Sequence, residues 1–179
     1  MKVAFIGMGT MGAPMAINIL QKSHDLTVYN RTKGKEAVVV KAGAKRAASP
    51  KEAAAEAEVI IVCISDTPDV EEVILGENGV IHGAQPGSIV VDMSTISPKA
   101  TRKMAESLKS RGVKMIDAPV SGGSEGAENG TLAIMIGGDP EDVEKARPIL
   151  ETMGKTITHV GPIGAGQITK AINQTIIAG

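Results

Sequence analysis

Residues 2–12, KVAFIGMGTMG, set three glycines, Gly7, Gly9 and Gly12, between an apolar strand-like run and the start of an apolar helix. No other stretch limits the fold so strongly. A strand that passes into a helix through G-x-G-x-x-G needs a tight turn at the first glycine, backbone open to a ligand at the second, and close strand–helix contact at the third. The helix N-terminus then faces a phosphate. An ordinary glycine-rich turn is the alternative. The strand before, the helix after and the position near the N-terminus favour a dinucleotide-binding loop made of Gly7, Met8, Gly9, Thr10, Met11 and Gly12.

The rest of the chain repeats the strand–helix rhythm. Strands are expected at 2–6, 26–29, 58–64, 88–92, 114–117, 132–136 and 156–160, with a weaker one near 45–47. Several are apolar throughout, as strands covered on both faces are. Ser49–Pro50, Thr67–Pro68, Ser97–Pro98 and Asp139–Pro140 each put a capping side chain before a proline at a helix start. Ser49 and Glu52 have capping-box spacing. Gly112 and Gly154 read as left-handed C-terminal caps. This alternation predicts an α/β fold, a doubly wound, mostly parallel sheet.

Composition narrows the partners. The 179 residues suffice for one large domain with a real core. A formal net charge of -1 gives no footprint for nucleic acid, and two aromatic residues, Phe5 and Tyr29, rule out a base-stacking platform. No apolar run is long enough to span a membrane. Met1 leads straight into a strand with no signal segment, and the lone Cys63 sits in an apolar run as a buried, inert thiol, so a reducing cytoplasmic setting is expected. The three histidines lie far apart, without ligand spacing, and no metal site is assigned.

The end of the second strand bears on which dinucleotide binds. Such units usually place Asp or Glu there to hold the ribose 2′-hydroxyl. This chain has VYNRT. Asn30 carries no charge to repel a 2′-phosphate, Arg31 can pair with one, and Thr32 and Lys35 can add contacts. A solvated arginine in a polar turn is the plainer alternative. The expectation is NADP(H), with NAD(H) possible.

Three later stretches sit at or after strand ends: DMSTISP (92–98), DAPVSGGSEGAENGTL (117–132) and GPIGAGQITKAINQ (161–174). Successive amides around Ser121, Gly122 and Gly123 can form a nest for a carboxylate. On a helix, Lys170 and Asn173 share a face, while Ile168, Ile172 and Ile176 form another. Spacing alone leaves Lys170 open to a solvated or a catalytic reading.

In this order, these motifs resemble the N-terminal, NADP-binding domain of the β-hydroxyacid dehydrogenase family, the 3-hydroxyisobutyrate dehydrogenase and tartronate semialdehyde reductase type. The resemblance covers essentially the whole chain. It implies a Rossmann-type fold over residues 1–163 and the start of an interdomain helix at 164–179, with the family's all-helical C-terminal domain absent from this chain. It implies that Ser94 and Thr95 lie beside the nicotinamide, that Ser121, Gly122 and Gly123 hold the substrate carboxylate, that Lys170 is the catalytic acid/base, and that Asn173 orients the substrate. Gln174 after Asn173 is similar to the tartronate semialdehyde reductase side. The implied reaction is hydride transfer between NADP(H) and a small β-hydroxy acid or its semialdehyde, of the 3-hydroxyisobutyrate, tartronate semialdehyde, glyoxylate or succinic semialdehyde class. The implied assembly is a homo-oligomer, dimer or tetramer. An imine reductase-like enzyme and a non-catalytic dinucleotide-binding module are the rival readings, and Lys170 argues against both.

For oxidation that lysine has to be tuned from about 10.4 to roughly 7–8. The expectation is that without a second domain it stays hydrated with a near-normal pKa. One isoleucine stripe of the last helix is expected on the sheet and a second apolar side awaiting a partner.

Overall fold

The apolar runs pair into one sheet. A computed structural model describes residues 1–178. Its strands are β1 (Lys2–Ile6), β2 (Asp25–Tyr29), β3 (Lys45–Arg46), β4 (Val59–Val62), β5 (Ile89–Asp92), β6 (Lys114–Asp117), β7 (Val120–Ser121), β8 (Leu132–Gly137) and β9 (Gly154–Gly161). The helices are α1 (Gly12–Gln21), α2 (Ala37–Lys41), α3 (Pro50–Ala54), α4 (Thr67–Leu75), α5 (Pro98–Lys109), α6 (Gly123–Asn129), α7 (Pro140–Leu150) and α8 (Ala165–Ala178). Among the described residues no helix is long and apolar enough to cross a membrane.

The sheet runs β3-β2-β1-β4-β5-β6-β8-β7, with β9 on the other side of β8. Strands β3 through β6 pair in parallel, β8 is antiparallel to β6 and β7, and β9 is parallel to β8. Strands β4 and β5 are buried at every position, which is why they read as unbroken VIIV and IVVD. One face buries Val3, Phe5, Ile61 and Val91 against Met15 and Ile19 of α1; the other buries Ile6, Ile60 and Val90 with Val70, Ile74 and Met104. The chain leaves β1 toward β2 and β3 on one side and returns through β4 to β6 on the other. The crevice between the carboxyl ends of β1 and β4 is therefore the switch point where such sheets bind ligands.

Ser49, Ser97 and Asp139 cap α3, α5 and α7 as expected. Two local expectations are corrected. The cap of α4 is Asp66, which accepts from the Thr67 amide at 2.9 Å, one residue earlier than the Thr-Pro pair suggests. Gly154 is no helix cap. It opens β9, where a Cβ would lie 2.6 Å from the Leu132 carbonyl, so close strand pairing excludes a side chain. Strand β7 was not anticipated, because two residues inside a glycine-rich loop carry no periodic signal.

Candidate functional site

The glycine loop is built by sterics. Gly7 has φ +105° and its Cβ would meet the Cys63 carbonyl, while a Cβ on Gly12 would meet the Gly7 carbonyl and approach Phe5 at 3.2 Å. Strand and helix thus close on each other only because both positions lack side chains. At Gly9 the same test finds nothing within 4 Å, so this position opens onto free space. Helix α1 has no side-chain cap and no acidic residue in its first turn, which leaves amides and a positive dipole end facing the crevice. Met8 serves the loop differently from its neighbours. Its side chain is buried in the core, and its amide is taken by Asn30 Oδ1 at 2.8 Å.

Two clefts meet at this loop. The first is lined by Gly7 and Gly9, by Asn30, Arg31, Thr32 and Lys35 after β2, and by Cys63–Ser65 and Asp69 after β4. Asn30 is pinned from both ends of its amide, since Nδ2 also donates to the Thr32 carbonyl at 2.7 Å. It shapes this rim rather than reaching out from it. Arg31 extends along the cleft and grips Asp69 with both terminal nitrogens.

The second cleft holds about 580 Å³ and is lined by Gly9–Gly12, Met93–Thr95, Val120–Gly123, Lys170 and Gln174. That volume suits a small ligand with part of a cofactor. Gly122 and Gly123 have φ +133° and +62°, and α6 begins at Gly123 with no side-chain cap, so amides there lack side-chain acceptors. The structure thus brings the glycine loop, Ser94, Thr95, the Ser121–Gly123 turn and Lys170 to one wall-to-wall space. Asn173 is not among the residues lining it. It is half-buried beside Lys170, with its Nδ2 lacking any partner among the described residues.

Lys170 departs from the expectation. Its side chain is buried at 8% exposure, and burial lowers its pKa below the ordinary 10.5. No hydrogen bond or ion pair to a described residue holds the ammonium. The cause is the orientation of α8. Its polar side, with Gly166, Gln167 and Lys170, packs inward, and Ile168, Ile172, Ile176 and Ile177 are 42%, 56%, 73% and 68% exposed. Neither isoleucine side lies on the sheet, contrary to the expected arrangement.

The anchor of α8 is a buried polar network. Asp117 Oδ1 accepts the Gly164 amide at 2.6 Å and Oδ2 accepts the Gln167 amide at 2.8 Å. A Cβ on Gly166 would lie 2.8 Å from that carboxylate and 2.5 Å from the Met135 carbonyl, so the glycines of GPIGAGQ let the helix end dock. The Gln167 carboxamide then bridges to the β5–α5 loop, donating to the Ser94 carbonyl at 2.8 Å and accepting from the Ile96 amide at 3.1 Å. Lys170 is therefore held in register with Ser94 and Thr95. Asp117, Gln167 and Asp92 were not singled out from sequence: the partners of Asp117 and Gln167 lie 47 to 73 residues away, and the burial of Asp92 comes from the strands on either side of it. The only local hint is that each abuts a recognised motif.

Asp92 and Asp117 are register neighbours on β5 and β6. Burial pushes both carboxyls up, and the α8 amides pull Asp117 back down. Asp92 Oδ1 accepts from the Ser94 amide, its Oδ2 has no partner among the described residues, and its pKa is pushed up to about 7. Cys63 is half-buried, packed against the core beneath the cleft. Burial, with Asp92 nearby, pushes its thiol up to about 12, which keeps it protonated and unreactive.

Asp92 sets a pH dependence. The folded carboxyl keeps its proton up to about pH 7, whereas an unfolded one loses it near 3.8. Its stabilising contribution is full below about pH 4 and is lost as pH rises through 7. Asp92→Asn keeps the shape and removes the charge. The variant is expected to gain stability over wild type as pH rises from 5 to 8, by about 3 kcal/mol. Urea unfolding at both pH values checks this, and a constant gap would exclude the carboxyl as the cause.

Three comparisons bear on these clefts. The family described as the NAD binding domain of 6-phosphogluconate dehydrogenase matches residues 2–161. The NAD-dependent L-serine dehydrogenase of Pseudomonas aeruginosa is 44% identical over 177 residues, covering 99% of this chain and 59% of the relative, and the 2-hydroxy-3-oxopropionate reductase of Escherichia coli is 44% identical over 179 residues, covering 99% and 61%. The solved Mycobacterium tuberculosis 3-hydroxyisobutyrate dehydrogenase with L-serine superposes at a TM-score of 0.94 with 36% identity, covering 99% of this chain and 60% of that one. The chain spans about three fifths of the length of the curated relatives it matches.

Proposed function

The chain belongs to the family of the NAD binding domain of 6-phosphogluconate dehydrogenase, and from that premise we propose that it is the cofactor-binding part of an oxidoreductase acting on a small hydroxy acid or its semialdehyde. The observation that carries this reading is Lys170, buried in the same cleft as the open Gly9 backbone and the Ser121–Gly123 turn. An imine reductase-like role and a non-catalytic module both leave a buried, unpaired lysine without a task.

When bound, the dinucleotide supplies hydride exchange at its nicotinamide ring. The chain's own residues do the rest. The α1 amides and Gly9 backbone receive the pyrophosphate. Arg31 and Lys35 favour a 2′-phosphate, hence NADP(H) over NAD(H). Ser94 and Thr95, held by Gln167, wall the nicotinamide side. The Ser121, Gly122 and Gly123 amides hold the substrate carboxylate. Lys170 Nζ gives a proton to the carbonyl oxygen in reduction and takes it from the hydroxyl in oxidation, and its lowered pKa eases the second step. Asn173, outside the lining of the cleft, supports that side of the helix and so helps to position Lys170.

We read residues 1–163 as the cofactor domain and α8 as the start of a helix shared with a further helical part. The open isoleucine face and the longer relatives support this, and a homo-oligomer would cover the same face. The lone, inert thiol supports a reducing, cytoplasmic setting, and the small net charge supports a small-molecule partner.

The experiment is titration calorimetry of the chain with NADPH and NADH. Both are expected to bind, NADPH more tightly. Arg31→Ala is expected to weaken NADPH by about tenfold, the scale of one contact to a charged phosphate, and leave NADH nearly unchanged. Binding of neither cofactor would overturn the reading.

A further inference from the structure

The C-terminal end of β2 lacks a carboxylate, and one stands elsewhere in the same cleft. Asn30 and Arg31 stand at the end of β2, where a dinucleotide unit usually carries an acid. Across the cleft, the first turn of α4 presents Asp69. Its Oδ1 accepts from Arg31 Nη1 at 2.7 Å and its Oδ2 from Nη2 at 3.1 Å, a fork-to-fork pair. That pair occupies both terminal nitrogens of the guanidinium.

Asp69 has little structural work to do. The cap of α4 is Asp66, and the helix is held down by buried Val70 and Ile74. The Arg31 and Asp69 side chains are 76% and 38% exposed, and so open an ion pair braces a fold weakly. What the pair does control is the end-on fork of Arg31, so that a phosphate has to displace Asp69 from it or settle for the Nε side of the guanidinium.

We propose that Asp69 is a specificity-determining residue, which restrains the preference for NADPH by occupying the Arg31 fork and supports NADH by offering a carboxylate to the ribose 2′-hydroxyl. This rests on the reading of the cleft as the adenosine side of a dinucleotide site. A 2′-phosphate that takes the end-on fork leaves the Asp69 carboxylate unpaired beside a dianion, and one that takes the Nε side meets a guanidinium already neutralised by that carboxylate. A 2′-hydroxyl needs no such exchange, since it donates to Asp69 while Arg31 stays in place. Lys35, on the same cleft wall, adds the positive charge that makes the exchange feasible. The chain thus accepts both dinucleotides, with the balance set by the competition between carboxylate and phosphate for one arginine.

The test is calorimetric titration of wild type, Asp69→Asn and Arg31→Ala with NADPH and NADH, and with adenosine 2′,5′-bisphosphate and 5′-AMP as minimal probes. Asp69→Asn is expected to tighten NADPH and the bisphosphate by about tenfold, the scale of removing one water-screened like charge and one competitor. NADH and AMP are expected to hold steady or weaken slightly. Asp69→Ser gives the same shift if the effect is the lost charge, and thermal unfolding of both variants should match wild type, as fits an exposed site. An NADPH-to-NADH affinity ratio that stays within twofold in both Asp69 variants overturns the proposal. If that ratio is unmoved by Asp69 but falls in Arg31→Ala, only the role of Asp69 fails. If neither cofactor nor either probe binds wild type, the reading of the cleft fails with it.

Discussion

In the enzyme at the length of its relatives, Lys170→Met is expected to lower kcat for carbonyl reduction by about 10²–10⁴, the span of a lost general acid. Cofactor affinity should stay within about threefold, because the proposed dinucleotide contacts are the glycine loop and Arg31, away from Lys170. Lys170→Arg should not rescue the rate, since a guanidinium neither takes nor gives a proton near neutral pH. The lowered lysine pKa fixes the direction of the pH profile. Reduction needs the ammonium and falls as pH rises through that pKa; oxidation needs the free amine and rises over the same range, below the ordinary 10.5. The same shift has a second consequence. A lysine whose folded pKa is depressed contributes stability above its unfolded pKa and loses it as pH falls through the folded value. At pH 7 the partly desolvated ammonium therefore weakens the fold, and Lys170→Met is expected to melt at a higher temperature while turning over more slowly. A methionine variant that keeps most of its kcat would assign Lys170 a structural place only; a variant that loses activity and also melts lower would point to a repacked cleft.

How far this site could be read from the chain alone follows from which interactions are local. Gly7, Gly9 and Gly12 carry their meaning within six residues, between β1 and α1: the structure gives Gly7 its tight turn and Gly12 its close strand–helix contact, and leaves open space at Gly9. The strands β4 and β5 announce themselves because both faces are buried. Helix α8 was half legible. Its spacing shows that Lys170 and Asn173 oppose the isoleucines, but not which side faces the sheet. The usual rule puts the apolar side inward. Here Asp117, accepting the amides of the helix end, and Gln167, bridging to Ser94, hold the polar side down. Those partners come from β6 and the β5–α5 loop, and no periodicity within residues 164–178 contains them. The burial of Lys170 follows from the same contacts, which is why a hydrated lysine was expected and a desolvated one is found. Arg31 shows the complementary gap. Its candidacy for a phosphate is visible in NRT, whereas the carboxylate that already holds it sits 38 residues on, in another helix.

The glycine loop allows a fold requirement and a binding requirement to be separated by two substitutions three residues apart. Gly12→Ala sets a methyl against the Gly7 carbonyl and close to Phe5, backbone and core that have no room to yield. Helix α1 has to lift from β1, and the variant is expected to lose about 3 kcal/mol or more of stability, the upper end of overpacking. Its cofactor affinity should fall by at least about a hundredfold, the effect of misplacing two amides worth about 1.5 kcal/mol each to a charged phosphate. Gly9→Ala meets nothing within 4 Å, and Gly9 does not sit in the positive-φ region that favours glycine. Its fold should therefore be unharmed, or more stable by up to about 1 kcal/mol through a less flexible unfolded chain. Its methyl nevertheless points into the open space proposed for the pyrophosphate, so NADPH and NADH should weaken together, whatever their 2′ group. Unfolding curves and titrations on the two variants separate the roles. Gly9→Ala that binds both dinucleotides as wild type does would mean that the open space over Gly9 is solvent and that the phosphates lie elsewhere. Gly12→Ala with wild-type stability would mean that strand and helix do not need the contact their glycines permit.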